Sequence, residues 1–271
     1  MLRDGLRAAA AAALVVTAMA ATGEAAAADG NLMLNADLYD GSAEVEGWGA
    51  SAIWIGAGRA GGSFRVGAAG VSLEDAHWSY VSGGRTFKSG TRFLFDASTR
   101  LGKAAIPGQS DDFHDVSAIL YAGVTPGRVT LVLGDSWLDI GDTEGQLLQG
   151  GVDLLWKQRW GAGLRLHKGI SGDLDDKFAT GNISLRGSSA TWTLGISAGR
   201  TVPFRGAPSS ATQSSTEIYM TVALPVGKHR LNVAASSFEG ENTERRMLST
   251  AWFIPFSGRP GQGGAQAGDD D

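Results

Sequence analysis

Four histidines, His77, His114, His167 and His229, are the side chains best suited to proton transfer in this sequence, and there is no cysteine to serve as thiol nucleophile or soft metal ligand. A serine hydroxyl becomes a nucleophile only with a base within hydrogen-bond reach and a carboxylate or amide to orient that base. His77 lies two residues from Ser79, His114 stands between Asp112 and Asp115, and His167 comes two residues after Arg165. None of the four sits in a catalytic motif, so no catalytic residue is assigned. Carboxylates gather at Asp111, Asp112 and Asp115 and again at Asp173, Asp175 and Asp176. Either group could take a divalent cation through oxygen ligands. Solvated acidic loops are the plainer reading, and neither a metal site nor a cofactor is assigned. The segment Gly56-Ala57-Gly58-Arg59-Ala60-Gly61 has the G-x-G-x-x-G spacing of a pyrophosphate cradle, which needs a strand before it and a helix after it. The stretch Ser63-Phe64-Arg65-Val66 just beyond it alternates as a strand does, so the match reads as a hairpin turn.

The elements that would position any such groups are strands. Leu148, Gly150, Val152, Leu154 and Trp156 interleave with Gln149, Gly151, Asp153, Leu155 and Lys157, placing an apolar set on one face and a largely polar set on the other. The same period of two returns at Phe93 to Ser98, Thr191 to Ala198, Glu217 to Leu224 and Arg230 to Ser236, whereas a helical period is not sustained anywhere. The alternation predicts 12 to 14 antiparallel strands. Forty glycines in 271 residues suit tightly turned strands better than long helices.

Composition excludes several classes. The chain is 43% hydrophobic and 19% charged, unlike a disordered segment, and without cysteine it is no disulfide scaffold. With 23 Lys and Arg against 28 Asp and Glu, net charge −5, it lacks the basic excess that a nucleic-acid partner demands. Residues 1–28 carry Arg3 and Arg7, an alanine-rich apolar run and the small residues Ala26-Ala27-Ala28, the pattern of a cleaved secretory signal peptide. Past Asp29 no apolar run reaches the length of a membrane helix. Residues 257–271, rich in glycine and aspartate, read as a disordered tail.

Charge sorts by connection. Arg59, Arg85, Arg128, Lys157, Arg159, Arg186, Lys228 and Arg230 sit near short turns, and Glu74, Asp75, Asp139, Glu144, Asp173, Glu239 and Glu244 near loops that read as longer, such as Leu101 to Asp112. Lys103, Arg205, Arg245 and Arg246 are exceptions. Short turns at one end and longer loops at the other predict a transmembrane β-barrel over residues 29–256. Its closing strand would present Trp252, Ile254 and Phe256 to lipid.

The stretches Trp78-Ser79-Tyr80-Val81-Ser82-Gly83-Gly84-Arg85-Thr86-Phe87 and Leu194-Gly195-Ile196-Ser197-Ala198-Gly199-Arg200, together with the aromatic-ended last strand, resemble the YaiO-type outer-membrane barrel family. The resemblance implies an outer-membrane location and supplies no catalytic residue.

Alternation assigns Arg92, Asp96, Asp153, Lys157, Arg165, His167, Arg186 and Glu217 to the lumen. Both signs occur, so these residues either pair into a network that closes the bore or line a water-filled passage. The expectation is a Gram-negative outer-membrane barrel without catalytic activity, a passive pore or a structural surface protein. Its partners would be outer-membrane lipid, lipopolysaccharide and, during biogenesis, the barrel-assembly machinery. The rivals are an outer-membrane lipid-modifying enzyme built on one of the four histidines and a soluble periplasmic β-protein that binds a small ligand.

Overall fold

The computed structural model describes residues 30–41, 46–57, 62–74, 76–106, 109–125, 128–140, 143–172, 176–201, 213–241 and 243–256. Alternating sequence becomes strand throughout: β1 (Gly30–Gly41), β2 (Gly47–Ala57), β3 (Ser63–Leu73), β4 (His77–Ser89), β5 (Phe93–Ile106), β6 (Gln109–Thr125), β7 (Val129–Ile140), β8 (Thr143–Trp156), β9 (Trp160–Gly172), β10 (Lys177–Arg186), β11 (Thr191–Thr201), β12 (Gln213–Val226), β13 (His229–Gly240) and β14 (Glu244–Phe256). Each strand pairs antiparallel with its sequence neighbours, and β1 closes on β14, so the sheet has no free edge. This is the upper of the two strand counts that alternation allows. The signal-peptide segment and the tail lie outside the described residues.

The strands are staggered. A line of in-register partners begins at Gly30, the first residue of β1, and passes through Gly56, Phe64, Arg85, Ala97, Ala118, Asp135, Leu148, Lys168 and Lys177 to Arg200, next to last in β11. A line perpendicular to the strands thus climbs from one rim to the other, as strands tilted to the barrel axis require. Large apolar side chains mark the outer face: Leu34, Phe64, Val81, Phe95, Leu101, Leu133, Leu166, Ile196, Ile218 and Leu248 are all exposed. A belt of exposed apolar residues that is costly in water is the natural surface of a barrel seated in lipid. Trp156 and Trp160 face each other in register at the β8–β9 turn and stay exposed, as interfacial aromatics do.

The connections differ from the sequence reading. Leu101 to Asp112 is not a loop, because β5 runs on to Ile106 and β6 starts at Gln109. Likewise β7 continues to Ile140 and β8 starts at Thr143. Only 202–212 is markedly longer than the turns at the opposite end. The physical reason is that a barrel wall wetted by lumen on one side and by headgroups on the other extends through polar and charged residues, so polarity does not mark where pairing stops.

Candidate functional site: the barrel lumen

Strand parity decides which side chains share the inner face, and ion pairs form there. Arg65 on β3 donates from both terminal guanidinium nitrogens to the two carboxylate oxygens of Asp96 on β5, each at 2.6 Å, and Thr86 on the intervening β4 donates to Asp96 at 2.9 Å. Arg100 on β5 pairs with Asp115 on β6 at 2.7 Å and lies over the Tyr80 ring, 5.5 Å from its centroid. Arg165 on β9 pairs with Asp153 on β8 at 2.6 Å and also donates to the Leu164 carbonyl at 3.1 Å. Arg245 on β14 reaches Glu217 on β12 at 3.1 Å and covers the Phe238 ring on β13 at 5.1 Å. Tyr121 stands within electrostatic reach of Asp96, Arg165, Asp153 and Arg65, joining two of these pairs around one stretch of wall.

Glycine makes this layout possible. A Cβ at Gly84 would come within 2.7 Å of Arg65 Nε, one at Gly151 within 2.7 Å of Arg165 Cδ, one at Gly134 within 2.4 Å of Gln149 Nε2, and one at Gly195 would strike the Tyr219 ring. In every case the glycine lies on the strand beside the long polar side chain, which rests flat across the bare backbone. Arg65, Arg165, Gln149 and Tyr219 therefore run along the wall rather than into the bore.

A second inner feature is apolar. Leu73, Trp78, Ala104 and Phe113 form a buried cluster, with Tyr39, Val71, Tyr80 and Leu138 packed against it. Tyr80 meets Phe113 edge-on at 5.8 Å. The cluster belongs to β1 and β3 to β7, toward the rim opposite the chain ends, so one wall of the barrel is thickened there.

Of the residues that sequence alone placed inside, Asp96, Asp153, Arg165, His167 and Glu217 occupy the inner face, and His167 stacks on Phe178 at 4.2 Å with the rings nearly parallel. Arg186 is the last residue of β10 and has the same parity, at the rim. Arg92 and Lys157 need correction. Strand β5 begins only at Phe93, leaving Arg92 in the preceding turn, where its carbonyl accepts from Gly123. Strand β8 ends at Trp156, so Lys157 turns out of the wall with φ 50° and lies over the Trp156 ring at 5.3 Å. On the closing strand, Trp252, Ile254 and Phe256 pair with Leu34, Leu32 and Gly30 on the outer face.

Among the described residues the reactive groups of the sequence do not converge; Asp173 and Asp175 lie outside the described residues. Asp111 and Asp115 share the inner face, while Asp112 and His114 point outward, where Asp112 meets Lys103 at 3.4 Å. Among the described residues no three His, Asp or Glu side chains come together as a metal site. His77 Nδ1 is 3.0 Å from Ser72 Oγ in an exposed pair at the rim, not from Ser79. Sequence reasoning missed Arg65, Arg100, Asp115 and Arg245 as pairing partners; for Arg65 the available signal was the inward Gly84 on the next strand.

No family model matches the sequence, and no curated protein matches it significantly. Solved structures do match. The Pseudomonas putida toluene transporter TodX aligns over 84% of this chain and 89% of its own, with 10% identity and a TM-score of 0.55. The CymD monoaromatic hydrocarbon channel aligns over 84% and 88%, with 9% identity and a TM-score of 0.56. The Acinetobacter baumannii outer membrane protein Omp33 aligns over 84% of this chain and 100% of its own, with 9% identity and a TM-score of 0.56. At such identities the likeness is one of fold, and it identifies the chain as a closed 14-stranded antiparallel β-barrel of the outer-membrane type.

Proposed function

We propose that the chain is an outer-membrane protein that works as a passive pore for small polar solutes. The observation that carries this reading is the set of inward glycines, Gly84, Gly134, Gly151 and Gly195, over which Arg65, Gln149, Arg165 and Tyr219 lie flat. A sequence selected only for a filled interior would gain by letting those side chains cross the bore and interdigitate. Charges held in pairs along a wall leave room for water and keep the passage polar. The fold shared with TodX, CymD and Omp33, described as a transporter, a channel and an outer membrane protein, supports the same reading.

In this reading residues 1–28 are a cleaved export signal, and the barrel is inserted with help from the barrel-assembly machinery. The outer face then contacts membrane lipid and, in the outer leaflet, lipopolysaccharide, with the chain ends on the periplasmic side. The YaiO-type resemblance belongs to this reading as well. A second reading, a closed structural barrel, is favoured by the apolar cluster around Trp78 and Phe113, which thickens one wall.

Purified mature protein in a planar bilayer separates the two. Discrete, repeatable conductance steps are expected for the pore, and a silent but heat-modifiable, membrane-inserted protein overturns it in favour of the closed barrel. Recovery as a soluble periplasmic species overturns both.

A further inference from the structure

Charge on the inner face divides by height. At the rim where the chain ends lie, Lys88 on β4, Arg186 on β10 and Arg230 on β13 are exposed and share the inner parity of Thr86, Thr180 and Phe238 on the same strands. The turns at this rim add Arg92, Arg128, Lys157, Arg159 and Lys228, all exposed. Arg230 donates to Asn232 at 3.0 Å, a neutral partner that leaves its charge in place. The first carboxylates up the wall, Asp96 and Asp153, are each held by an arginine.

The opposite rim has the other sign. Its inner bases among the described residues, Arg100 and Arg245, are held by Asp115 and Glu217. Lys103, Lys168, Lys177, Arg200 and Arg246 stand on the outer face, with the parity of Leu101, Leu166 and Leu248. Glu46, Glu74 and Glu241 are exposed in the connections there, and Asp37 stands on the inner face between Gly49 and Ser249. We propose that the bore is bipolar, positive at the rim of the chain ends and negative at the other, so that it conducts better with the acidic rim at positive potential than with the voltage reversed. Lys88, Arg186 and Arg230 are the inner-face residues that set this property, which rests on the pore reading above.

A charged mouth in a low-dielectric wall concentrates ions of the opposite sign. Fourteen strands about 4.8 Å apart put the backbone on a circle of roughly 12 Å radius. Side chains narrow that circle, so at about 0.1 M salt the whole cross-section of each mouth lies within the Debye length, about 10 Å, of its charges. Cations gather at the acidic mouth and anions at the basic one. With the acidic rim positive, the field drives both populations inward and the bore fills with carriers. With the voltage reversed, both are drawn out and the middle of the bore is depleted. At about 1 M salt the Debye length shrinks to about 3 Å, the mouths no longer reach the bore axis, and the asymmetry fades. A bore whose charges were all paired would conduct alike in both directions.

Single channels of the mature chain in a planar bilayer test this. The sequence has no cysteine, so Ser189→Cys in the β10–β11 turn adds one exposed thiol at the basic rim, and block by a maleimide-capped polyethylene glycol too large for the bore tells which side that rim faces. In about 0.1 M KCl the current with the acidic rim positive should exceed the current at the equal and opposite voltage by about 1.5-fold or more. In about 1 M KCl the ratio should fall close to one, a contrast that needs no further variant. The combined variant Lys88→Gln, Arg186→Gln and Arg230→Gln should lose at least about half of the excess in dilute salt, whereas Lys103→Gln, on the outer face, should match the parent. Deleting residues 257–271, which takes away Asp269, Asp270 and Asp271, should leave the asymmetry in place. Equal currents in dilute salt, an excess of the opposite polarity, a ratio indifferent to salt, or one unchanged by the combined variant or abolished by the deletion overturns the bipolar bore and leaves the pore standing. Inserted protein that gives no conductance steps overturns the pore reading, and the bipolar bore with it.

Discussion

Arg65 and Asp96 are joined by two 2.6 Å hydrogen bonds although the whole of β4 lies between their strands. The bridge passes over Gly84, the residue of β4 in register with Arg65. Any side chain there would meet the guanidinium, since even a Cβ would lie 2.7 Å from Nε. An ion pair that skips a strand ties three strands together at one point, and both partners are largely shielded from solvent.

Replacing Gly84 with valine should break this tie. The arginine must lift off the wall into the bore, leaving Asp96 with Thr86 alone. A charge-assisted pair of this kind is worth about 1.5–3 kcal/mol per hydrogen bond lost, so a clear drop in the denaturant midpoint of the reconstituted barrel is expected, together with a smaller single-channel conductance. Unchanged midpoint and conductance would mean that the arginine is not confined by the glycine.

Arg165→Glu tests the charge lining itself. The substitution sets a second carboxylate beside Asp153 on the inner wall, where Arg165 and Asp153 are paired at 2.6 Å. Ions passing close to a low-dielectric wall feel such a reversal with little screening, so reversal-potential measurements should show a higher cation preference. Asp96→Asn changes the wall in the opposite sense and should raise anion preference.

On the closing strand, Ile254 pairs with Leu32 on the lipid face. Ile254→Lys should cost roughly 1–3 kcal/mol, depending on depth, measured as lost resistance to urea unfolding in lipid. Deletion of residues 257–271 should leave that resistance unchanged. A harmless lysine combined with a damaging deletion would show that the strand faces the other way.

Asp135 invites the reverse experiment. Its register partners, Ala118 and Leu148, and its strand neighbours, Leu133 and Trp137, place it on the lipid face. Gln146 donates to its Oδ2 at 2.8 Å, while Oδ1 is buried without a hydrogen-bond partner. Replacing the pair together, Asp135→Leu with Gln146→Leu, removes a desolvated carboxylate and leaves nothing unsatisfied. Stability should rise by about 1–3 kcal/mol, and Asp135→Leu alone should give less because Gln146 then loses its acceptor.

Alternation made the barrel legible, because a period of two with one lipid face is hard to satisfy otherwise. Strand ends were less legible. Asp111 and Asp112 look like loop residues until pairing shows them on the two faces of a continuing strand. Turn onset decided Lys157: the alternation from Asp153 onward puts it inside, but the chain leaves the wall one residue earlier. Partner identity was not legible at all for Asp96, since its arginine lies two strands and 31 residues away and depends on register along both intervening seams.

The seam between β1 and β14 sets the order in which the molecule can be made. Ser249 donates to Asn35 across 214 residues of chain, and all twelve residue pairs of that seam join the first strand to the last. Until β14 is in place, β1 has only one neighbour and its other edge is an open template for any strand it meets. Closure entropy grows only slowly with the length of the intervening chain, so the hazard lies less in the final joining than in the wait before it. A chain shortened within β14 would leave that edge open for its lifetime, which makes the last thirteen strand residues the ones that turn a sheet prone to association into a sealed wall.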